Sequence, residues 1–210
     1  MNTIKLYRFA LSGHSHRVQL MLSLLGLEAE LININLAAGE HKTAAFLAKN
    51  PAGQVPVIED GEVTLADSNA ILVYLSSVYD AARTWYPTDV LLQSRIQGFL
   101  SLAAGKLAFG AAAARVVNVF GAQADKAKAQ ELAHGLLRFL EPQLATVHWL
   151  VSEHPTIADV AMYTYVAHAP EGDIALEDYP HVSAWLLRVE KLPGFVAMQK
   201  TPVGLLAKHA

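Results

Sequence analysis

The hydrophobic pattern of this 210-residue chain changes abruptly near residue 80, and this change constrains the possible fold more than any other feature. Segments typical of strands and of helices alternate along residues 1–79, whereas segments typical of strands are absent from about Thr88 onward. Alternation predicts an α/β domain, and a run of helical patterns predicts an all-helical one. We therefore predict two domains, at 1–79 and 89–210, joined by a linker at 80–88.

The first domain is predicted to have the order βαβαββα around a mixed sheet. Four segments have the alternating or β-branched pattern of strands, namely TIKLYRF, AELININL, VPVIED and EVTL. The last two flank Asp60-Gly61, a pair typical of a hairpin turn. Helices are predicted at 14–26, at 41–50 and from Ser68, which we expect to be the N-cap residue of the third helix.

The second domain is predicted to consist of helices at 89–118, 124–151, 156–169 and 179–191, with a shorter helix after Pro193. Within the segment PTIADVAMYTYV, Thr156 and Asp159 stand three residues apart, which is the spacing of a reciprocal capping box at a helix start. We assign this pair to folding rather than to chemistry.

Composition narrows the possible functions. The net charge is −3, so the chain offers no broad cationic surface for nucleic acid. Lys106 and Arg115 interrupt the most apolar region, Phe99–Phe120, and no membrane span is expected. The first residues lack the apolar region of a secretory signal. We therefore expect a cytoplasmic protein that binds neither nucleic acid nor membrane.

The chain contains no cysteine. Disulfides, cysteine-ligated zinc and cysteine-based catalysis are therefore excluded for this chain, and any thiol chemistry needs a thiol that arrives with a ligand. His14 and His16 are two residues apart and would point to different faces of a helix. The other histidines lack ligand spacing. We predict no metal site.

Two short motifs follow each other near the end of the first domain. Pro56 stands between strand-like residues, although proline cannot donate a strand hydrogen bond. A cis bond before Pro56 would turn the N–H and C=O groups of Val55 toward an extended peptide; a trans proline at a strand start is the alternative. Asp67 and Ser68 mark a helix start, where they either hold an ammonium and a carboxylate or only cap the helix.

Taken together, these motifs resemble the glutathione transferase family. NPAGQVPVIEDG is similar to that family's cis-proline loop, LADSNAI to its acid-serine site for the γ-glutamyl group, and LYRFALSGHSHRV to the openings of zeta- and phi-class members. GEHKTAAFLAKNPAGQVPV is most similar to phi-class and related bacterial members, and PTIADVAMYTYV to the second domain's capping motif. The resemblance spans the chain and implies a thioredoxin-like first domain, an all-helical second domain, a homodimer and a role in detoxification.

The resemblance implies glutathione as the co-substrate, with no metal. The residues implied to hold it are His41, Lys42, Gln54, Val55, Pro56, Asp67 and Ser68. In that arrangement the γ-glutamyl end lies on Asp67 and Ser68, the cysteinyl backbone pairs with Val55, and the glycine carboxylate meets the residues from His41 to Gln54. For His41 and Lys42 the alternative is an ordinary helix start.

Catalysis at such a site consists of making a thiolate at neutral pH, because a free thiol titrates near about 8.5. Ser12 aligns with the serine that has this role in the zeta and phi classes, and it falls where the first strand ends and the first helix begins. One hydroxyl donor and a helix N-terminus could lower the thiol pKa by roughly 2 units. Tyr7 and Ser15 are the second choices, and for Ser15 a plain helix cap is the alternative.

The second reactant implied by the resemblance is a small hydrophobic electrophile. The residues expected to face it are Phe9, Leu11, Phe109, Ala112 and Arg115, although a core or surface position is the alternative for each. Two other functions stay open on the same fold. One is a non-catalytic module that binds glutathione or an apolar ligand, and the other is a glutathione-dependent peroxidase, reductase or isomerase.

Overall fold

The computed structural model describes residues 3–209, which divide into two compact units. The first unit contains the described residues up to Arg83 together with Pro193–Gln199, and the second contains Thr84–Leu192 together with the residues from Lys200 onward. The division after Arg83 lies inside the predicted linker. Pro193–Gln199 belongs to the first unit, whereas the prediction placed it in the second domain. Local hydrophobic patterns do not indicate packing between segments that are distant in the sequence.

The first unit is built on a four-stranded mixed sheet. Its strands are β1 (Ile4–Arg8), β2 (Ala29–Asn33), β3 (Val57–Asp60) and β4 (Val63–Ala66), in the order β2-β1-β3-β4. β1 runs parallel to β2 and antiparallel to β3, which pairs antiparallel with β4. The helices are α1 (Gly13–Leu24), α2 (Ala44–Leu47) and α3 (Ser68–Tyr79). The predicted βαβαββα order and thioredoxin-like mixed sheet are confirmed.

Helix α1 folds as its local sequence predicts. Ser12 is the N-cap residue, with an extended backbone and a hydroxyl oxygen that accepts from the Ser15 N–H at 3.3 Å. Val18 and Met21 are fully buried on one face. Gly26 follows the helix with a φ of 66°, the left-handed conformation in which glycine commonly ends helices. Ser15 therefore lies inside the first turn and is not the cap.

The segment predicted as a single short helix at 41–50 is divided. A 3-10 turn, Glu40–Lys42, precedes α2, and Thr43 between them has an extended backbone with a φ of −69° and a ψ of 152°. The Thr43 hydroxyl oxygen accepts from the Phe46 N–H at 3.3 Å. Thr43 thus ends one turn and caps the next helix, which prevents a continuous helix.

Helix α3 begins at Ser68, but Asp67 is its N-cap residue. The Asp67 carboxylate accepts from the N–H groups of Asn69 and Ala70, both at 2.9 Å. The prediction that Ser68 caps α3 is therefore wrong. A carboxylate one residue earlier reaches both N–H groups and leaves the Ser68 hydroxyl for another contact.

The segment Pro193–Gln199 packs against α1. Ser23 Oγ donates to the Gly194 carbonyl at 2.6 Å, and a Cβ at Gly194 would meet the Ser23 carbonyl oxygen at 2.6 Å. His16 Nε2 donates to the Val196 carbonyl at 2.8 Å. Met198 is buried. These contacts make the segment part of the first unit, although it is far from α1 in the sequence.

The second unit consists of helices, as predicted. A continuous helical stretch contains α4 (Val90–Leu102), a π-helical segment (Ala103–Ala112) and α5 (Ala113–Phe120). It is followed by α6 (Lys126–Leu144), α7 (Ile157–Ala167) and α8 (Pro180–Glu190). Short 3-10 turns occupy Ala169–Gly172 and Gly204–His209. Helix α6 ends earlier than predicted, and among the described residues after Pro193 the predicted shorter helix is represented by the 3-10 turn Gly204–His209.

The stretch Val90–Phe120 is long and apolar enough to cross a membrane by length and composition, with a mean hydropathy of 1.4 over its most apolar window. Of that window, 44% is buried inside the protein, and the stretch packs against α6 and α7. Core helices of soluble proteins have the same properties. We therefore assign this stretch to the core of the second unit.

The start of α7 is a buried polar cluster. Thr156 and Asp159 form the predicted capping box, in which Asp159 Oδ2 accepts from the Thr156 N–H at 2.9 Å. Asp159 Oδ1 accepts from the Leu150 N–H at 3.1 Å and from Trp185 Nε1 at 3.0 Å. Asp159 is 1% exposed. One carboxylate therefore joins α7 to the preceding loop and to α8.

Candidate functional site

Three loops of the first unit leave the sheet at the same edge. The first residue of β3, Val57, pairs with the end of β4 and with a residue near the end of β1. Because β3 is antiparallel to both neighbours, its start lies beside their ends. The loops that carry Ser12, Val55 and Asp67 therefore emerge together.

The loop before β3 presents backbone groups that the protein does not pair. The Val55–Pro56 peptide bond is cis, and the N–H and C=O groups of Val55 make no hydrogen bond among residues 3–209. The buried Asn50 amide fixes the loop, because it donates to the Gln54 carbonyl at 2.8 Å and accepts from the Ala52 N–H at 3.1 Å. An extended peptide can therefore pair with Val55 as an added strand would.

Asp67 combines a helix cap with a strained backbone. Its Oδ1 makes both capping contacts, while its Oδ2 makes no hydrogen bond or ion pair within the described residues. Its φ of 69° with a ψ of 118° is a conformation that non-glycine residues rarely adopt. Such strain concentrates at ligand sites. The exposed second oxygen is suited to a cation such as an ammonium group.

Ser68 is held by a buried guanidinium that the sequence interpretation missed. Arg17 is 1% exposed, and its Nη1 donates to Ser68 Oγ and to Asn69 Oδ1, both at 2.8 Å. These contacts join the first half of α1 to the N-terminus of α3. In the polar run HSHR an arginine is typical of a surface position, so the pattern gave no sign of its burial.

The His14 imidazole next to this guanidinium is neutral. Its Nδ1 lies 3.4 Å from Arg17 Nη1 and 3.4 Å from Ser68 Oγ. Burial, and then the charge of Arg17, lower the pKa of His14 to about 3 despite an opposing effect of Asp67. A guanidinium only donates hydrogen bonds, so the contact requires an unprotonated Nδ1. The positive charge at this point therefore belongs to Arg17 and not to His14.

Ser12 keeps its hydroxyl proton available. The Ser12 N–H donates to the Phe9 carbonyl at 2.9 Å, and the hydroxyl oxygen serves as the cap acceptor described above. Among residues 3–209 the hydroxyl donates to no group. The half-buried side chain lies at the N-terminus of α1, where the helix dipole favours negative charge. Ser12 is thus suited to donate a hydrogen bond to an anion.

The two second choices for this donor have other contacts. The Ser15 hydroxyl oxygen is buried and accepts from the Phe9 N–H at 3.3 Å. Tyr7 donates to Glu59 Oε2 at 2.8 Å, and Lys49, which pairs with Glu59, lies 4.9 Å from the centre of the Tyr7 ring. Burial and the Glu59 carboxylate raise the pKa of Tyr7. The burial of Ser15 and the Glu59 contact of the Tyr7 hydroxyl weaken the case for these two residues as donors to a thiol.

A second polar cluster lies beside the Val55 loop. Lys42 Nζ donates to the Gly53 carbonyl at 3.3 Å, and a Cβ at Gly53 would meet Lys42 Nζ at 2.8 Å. Only glycine permits this approach, because its φ is 59°. The buried Nδ1 of His41 makes no hydrogen bond among the described residues, and Gln54 is exposed. Lys42 and these neighbours are suited to receive a carboxylate.

Comparison with known proteins decides the family. The family model described as "Glutathione S-transferase, N-terminal domain" matches residues 2–77, and the one described as "Glutathione S-transferase, C-terminal domain" matches residues 102–193. Glutathione S-transferase D7 of Anopheles gambiae is 32% identical over 86% of this chain and 83% of its own length. The chain belongs to the glutathione S-transferase family. The resemblance carried by the sequence motifs is thereby confirmed.

Solved glutathione S-transferase structures have the same fold. The enzyme from Pseudomonas fluorescens has a TM-score of 0.89 and 32% identity, and the match covers 95% of this chain and 100% of that one. A glutathione transferase homologue from Drosophila mojavensis, solved with bound glutathione, has a TM-score of 0.81 and 28% identity over 92% of this chain and 90% of its own. The two-part fold is thus that of the glutathione S-transferase family.

The residues expected to face an electrophile have different surroundings in this glutathione S-transferase. Phe9 and Leu11 are half-buried in the first unit. In the second unit Phe109 is 69% exposed, whereas Ala112 is buried. The prediction that Arg115 faces the electrophile is corrected by the structure. Its side chain is 1% exposed, and its Nε donates to the buried Glu171 carboxylate at 2.6 Å. Its charge therefore compensates an acid inside the helical unit.

The contacts of Glu171 predict that the protein loses stability in acid. His168 Nδ1 donates to it at 2.7 Å, and Thr201 donates through its N–H at 3.0 Å and its hydroxyl at 2.8 Å. Burial alone would raise the pKa of Glu171, but His168, Thr201 and Arg115 lower it to about 2, below the ordinary 4.5. The carboxylate therefore contributes about 3 kcal/mol above pH 4.5, and this contribution is lost as the pH falls toward 2.

Denaturant unfolding of the wild type and of Glu171→Gln between pH 6 and pH 3 measures this effect. The variant is less stable at pH 6, because Arg115 stays buried without its carboxylate, but its stability falls less steeply below pH 4.5. Glu153→Gln, at an exposed position, keeps the wild-type slope. A Glu171→Gln slope as steep as that of the wild type would show that other carboxylates cause the acid sensitivity.

No group of three or more histidine, aspartate and glutamate side chains suited to a metal ion occurs within the part of the chain that the structure describes. His14 and His16 have separate contacts, with Ser68 and Val196 respectively.

Proposed function

We propose that this glutathione S-transferase family member binds glutathione at the sheet edge described above and joins the glutathione sulfur to a small hydrophobic electrophile. The observation that carries the proposal is the unpaired backbone of Val55, which lies at the same edge as two helix N-termini, each with a serine. One serine, Ser12, has an unused hydroxyl proton. The other, Ser68, contacts a buried guanidinium.

Each part of glutathione has a complementary group. The γ-glutamyl ammonium is assigned to Asp67 Oδ2, and the neighbouring α-carboxylate to Ser68 at the positive end of the α3 dipole. The cysteinyl backbone pairs with Val55 beside Pro56. The glycine carboxylate is assigned to Lys42, with His41 and Gln54 beside it.

In the proposed chemistry Ser12 donates a hydrogen bond to the glutathione sulfur and stabilises its thiolate, together with the N-terminal dipole of α1. The thiol proton leaves to water. The sulfur electron pair then forms a bond to an electrophilic carbon. On an aryl halide the halide departs with its bonding electrons, and on an isothiocyanate the C=N electron pair moves to nitrogen, which takes a proton from water. Ser12 does not act as a nucleophile and does not need to be deprotonated.

For the electrophile we propose a small apolar molecule. Phe9 and Leu11, which precede Ser12 in the first unit and are half-buried, are the apolar side chains that support this choice. The assignment does not depend on Arg115, because its charge is used inside the helical unit.

Calorimetric titration with glutathione, followed by assays with aryl halides, isothiocyanates, peroxides and mixed disulfides, tests the proposal. We expect saturable binding and turnover of the aryl halides or isothiocyanates. Asp67→Asn keeps the capping oxygen but removes the charge, and it should weaken glutathione binding about 10-fold. Glu62→Gln, at an exposed position in the β3–β4 turn, is the matched control and should bind as the wild type does.

Other outcomes would favour another function. Binding without turnover of any electrophile would indicate a non-catalytic binding module. Turnover of peroxides or mixed disulfides alone would indicate a glutathione-dependent peroxidase or reductase. No binding of glutathione would contradict the proposal as a whole.

We also propose that the protein is a cytoplasmic homodimer, by analogy with its family. The adjacent side chains of Val90 and Leu91 at the start of α4 are 75% and 59% exposed, so a dimer interface there would remove apolar surface from water. Light scattering should give the mass of two chains, and the mass of one chain would contradict the dimer.

A further inference from the structure

Arg17 brings a buried positive charge directly against Ser68. Its side chain is almost fully buried, and the Ser68 and Asn69 side chains that it contacts are 5% and 9% exposed. Burying a guanidinium is costly unless its surroundings compensate it. Both contacts of Nη1 are to residues in the first turn of α3, where the helix dipole is also positive. The N-terminus of α3 is therefore unusually favourable for an anion.

The direction of these hydrogen bonds fixes the role of the Ser68 hydroxyl. Arginine only donates, so Ser68 Oγ must accept from Arg17, and its own proton must point elsewhere. The nearest described acceptor is the unprotonated Nδ1 of His14, at a long distance of 3.4 Å. Such a contact is weak. The Ser68 proton is therefore easily transferred to a better acceptor, such as a carboxylate oxygen.

We propose that Arg17 is a positioning residue that prepares Ser68 to bind the α-carboxylate of a γ-glutamyl group. Arg17 acts through Ser68 by orienting the Ser68 hydroxyl as a donor, and its guanidinium adds a positive charge next to that hydroxyl. Asn69, held by the same guanidinium, keeps the first turn of α3 in place. This inference rests on the proposed function, in which glutathione is the ligand.

The test compares two ligands that differ only in this carboxylate. Glutathione and γ-aminobutyryl-cysteinylglycine, which lacks the α-carboxylate, are titrated into the wild type and Arg17→Met by calorimetry. The wild type should prefer glutathione, and Arg17→Met should weaken glutathione binding about 10- to 100-fold. Binding of the analogue should change by less than about 3-fold. In turnover assays the KM for glutathione should rise by more than kcat falls.

Arg8→Met is the matched control, because Arg8 lies in the same unit and contacts Gln19 and Asn33 rather than α3. It should change neither the affinity for glutathione nor the preference over the analogue by more than about 2-fold. A preference for glutathione that survives in Arg17→Met would overturn this inference while leaving the proposed function intact. No binding of glutathione to the wild type would overturn both.

A second set of variants keeps the inference testable if Arg17→Met does not fold. Arg17→Lys retains the charge and should restore part of the preference for glutathione. Ser68→Ala removes the group through which Arg17 acts, so Arg17→Lys should cause no further loss of glutathione affinity in that background. Losses that simply add in the double variant would overturn the role of Ser68 as intermediary.

Discussion

Ser12→Ala is expected to raise the pKa of protein-bound glutathione thiol by about 1 to 2 units, which corresponds to about 1.4 to 2.7 kcal/mol of lost thiolate stabilisation, while the N-terminal dipole of α1 remains. The physical reason is that the Ser12 hydroxyl has an unused proton at the N-terminus of α1. With a bound pKa near about 6.5, most of the thiol is ionised at pH 7, whereas only a few per cent is ionised at about 8.5. The variant therefore loses most of its bound thiolate at neutral pH.

Thiolate absorbance measured against pH is the sharpest test of this prediction. A less acidic thiol gives a more nucleophilic thiolate, so the rate of conjugation should fall less than the thiolate fraction, by up to about 4-fold at pH 7. Ser12→Thr keeps a hydroxyl and a capping oxygen and should retain a low thiol pKa.

Ser15→Ala is the matched control in the same turn. It should lower stability, because the Phe9 N–H loses its acceptor, but it should leave the thiol pKa within about 0.3 units. If bound glutathione titrates like free glutathione in the wild type, or if Ser12→Ala leaves its pKa unchanged, Ser12 is not the donor.

Asp159→Ala is expected to lower the free energy of unfolding by about 3 to 5 kcal/mol. The substitution leaves four buried donors without their acceptor, namely the Leu150 N–H, the Thr156 N–H and hydroxyl, and Trp185 Nε1. Each unsatisfied buried donor costs about 1 to 3 kcal/mol. Because Trp185 is fully buried in α8, the loss also weakens packing between α7 and α8.

Denaturant unfolding of Asp159→Ala and of Asp125→Ala separates this network from ordinary helix capping. Asp125 is the exposed N-cap residue of α6, and its carboxylate accepts from the Lys128 N–H at 3.0 Å. Its loss should cost about 1 kcal/mol. Equal destabilisation by the two variants would mean that Asp159 stabilises the fold only as a cap.

Much of the fold was predictable because local patterns determine it. The alternation in TIKLYRF and the Asp60-Gly61 turn gave β1 and the β3–β4 hairpin within a residue or two. The spacing of Thr156 and Asp159 gave the start of α7. In each case the residues that decide the conformation are close together in the sequence, so nothing distant was needed to interpret them.

The errors at helix starts have a common cause. Asp67, Ser68 and Thr43 are all good cap residues. The sequence does not show which of the adjacent Asp67 and Ser68 adopts the backbone conformation of the cap, or that Thr43 interrupts a predicted helix. In the structure Asp67 takes the cap, and Ser68 is left for Arg17. The choice depends on a contact with a residue about fifty positions away.

The sequence predicted the candidate site through residues that have available backbone groups or lie at helix ends. Val55, Asp67 and Ser12 belong to recognisable loops, and their positions at one sheet edge follow from the strand order. Arg17 and Arg115 were not interpreted correctly, because a charged residue in a polar or alanine-rich helix gives no sign of burial. Their partners, Ser68 and Glu171, lie in other elements.

The Pro193–Gln199 segment means that no single cut divides this chain into its two halves. A fragment that stops at Arg83 would leave the His16 imidazole and the Ser23 hydroxyl without the carbonyl groups that receive them. The remaining fragment would contain Pro193–Gln199 without the unit against which it packs, and Met198 in that segment would lose its cover. An exchange of units between related proteins, by design or by recombination, would therefore have to include the Pro193–Gln199 segment with the thioredoxin-like unit.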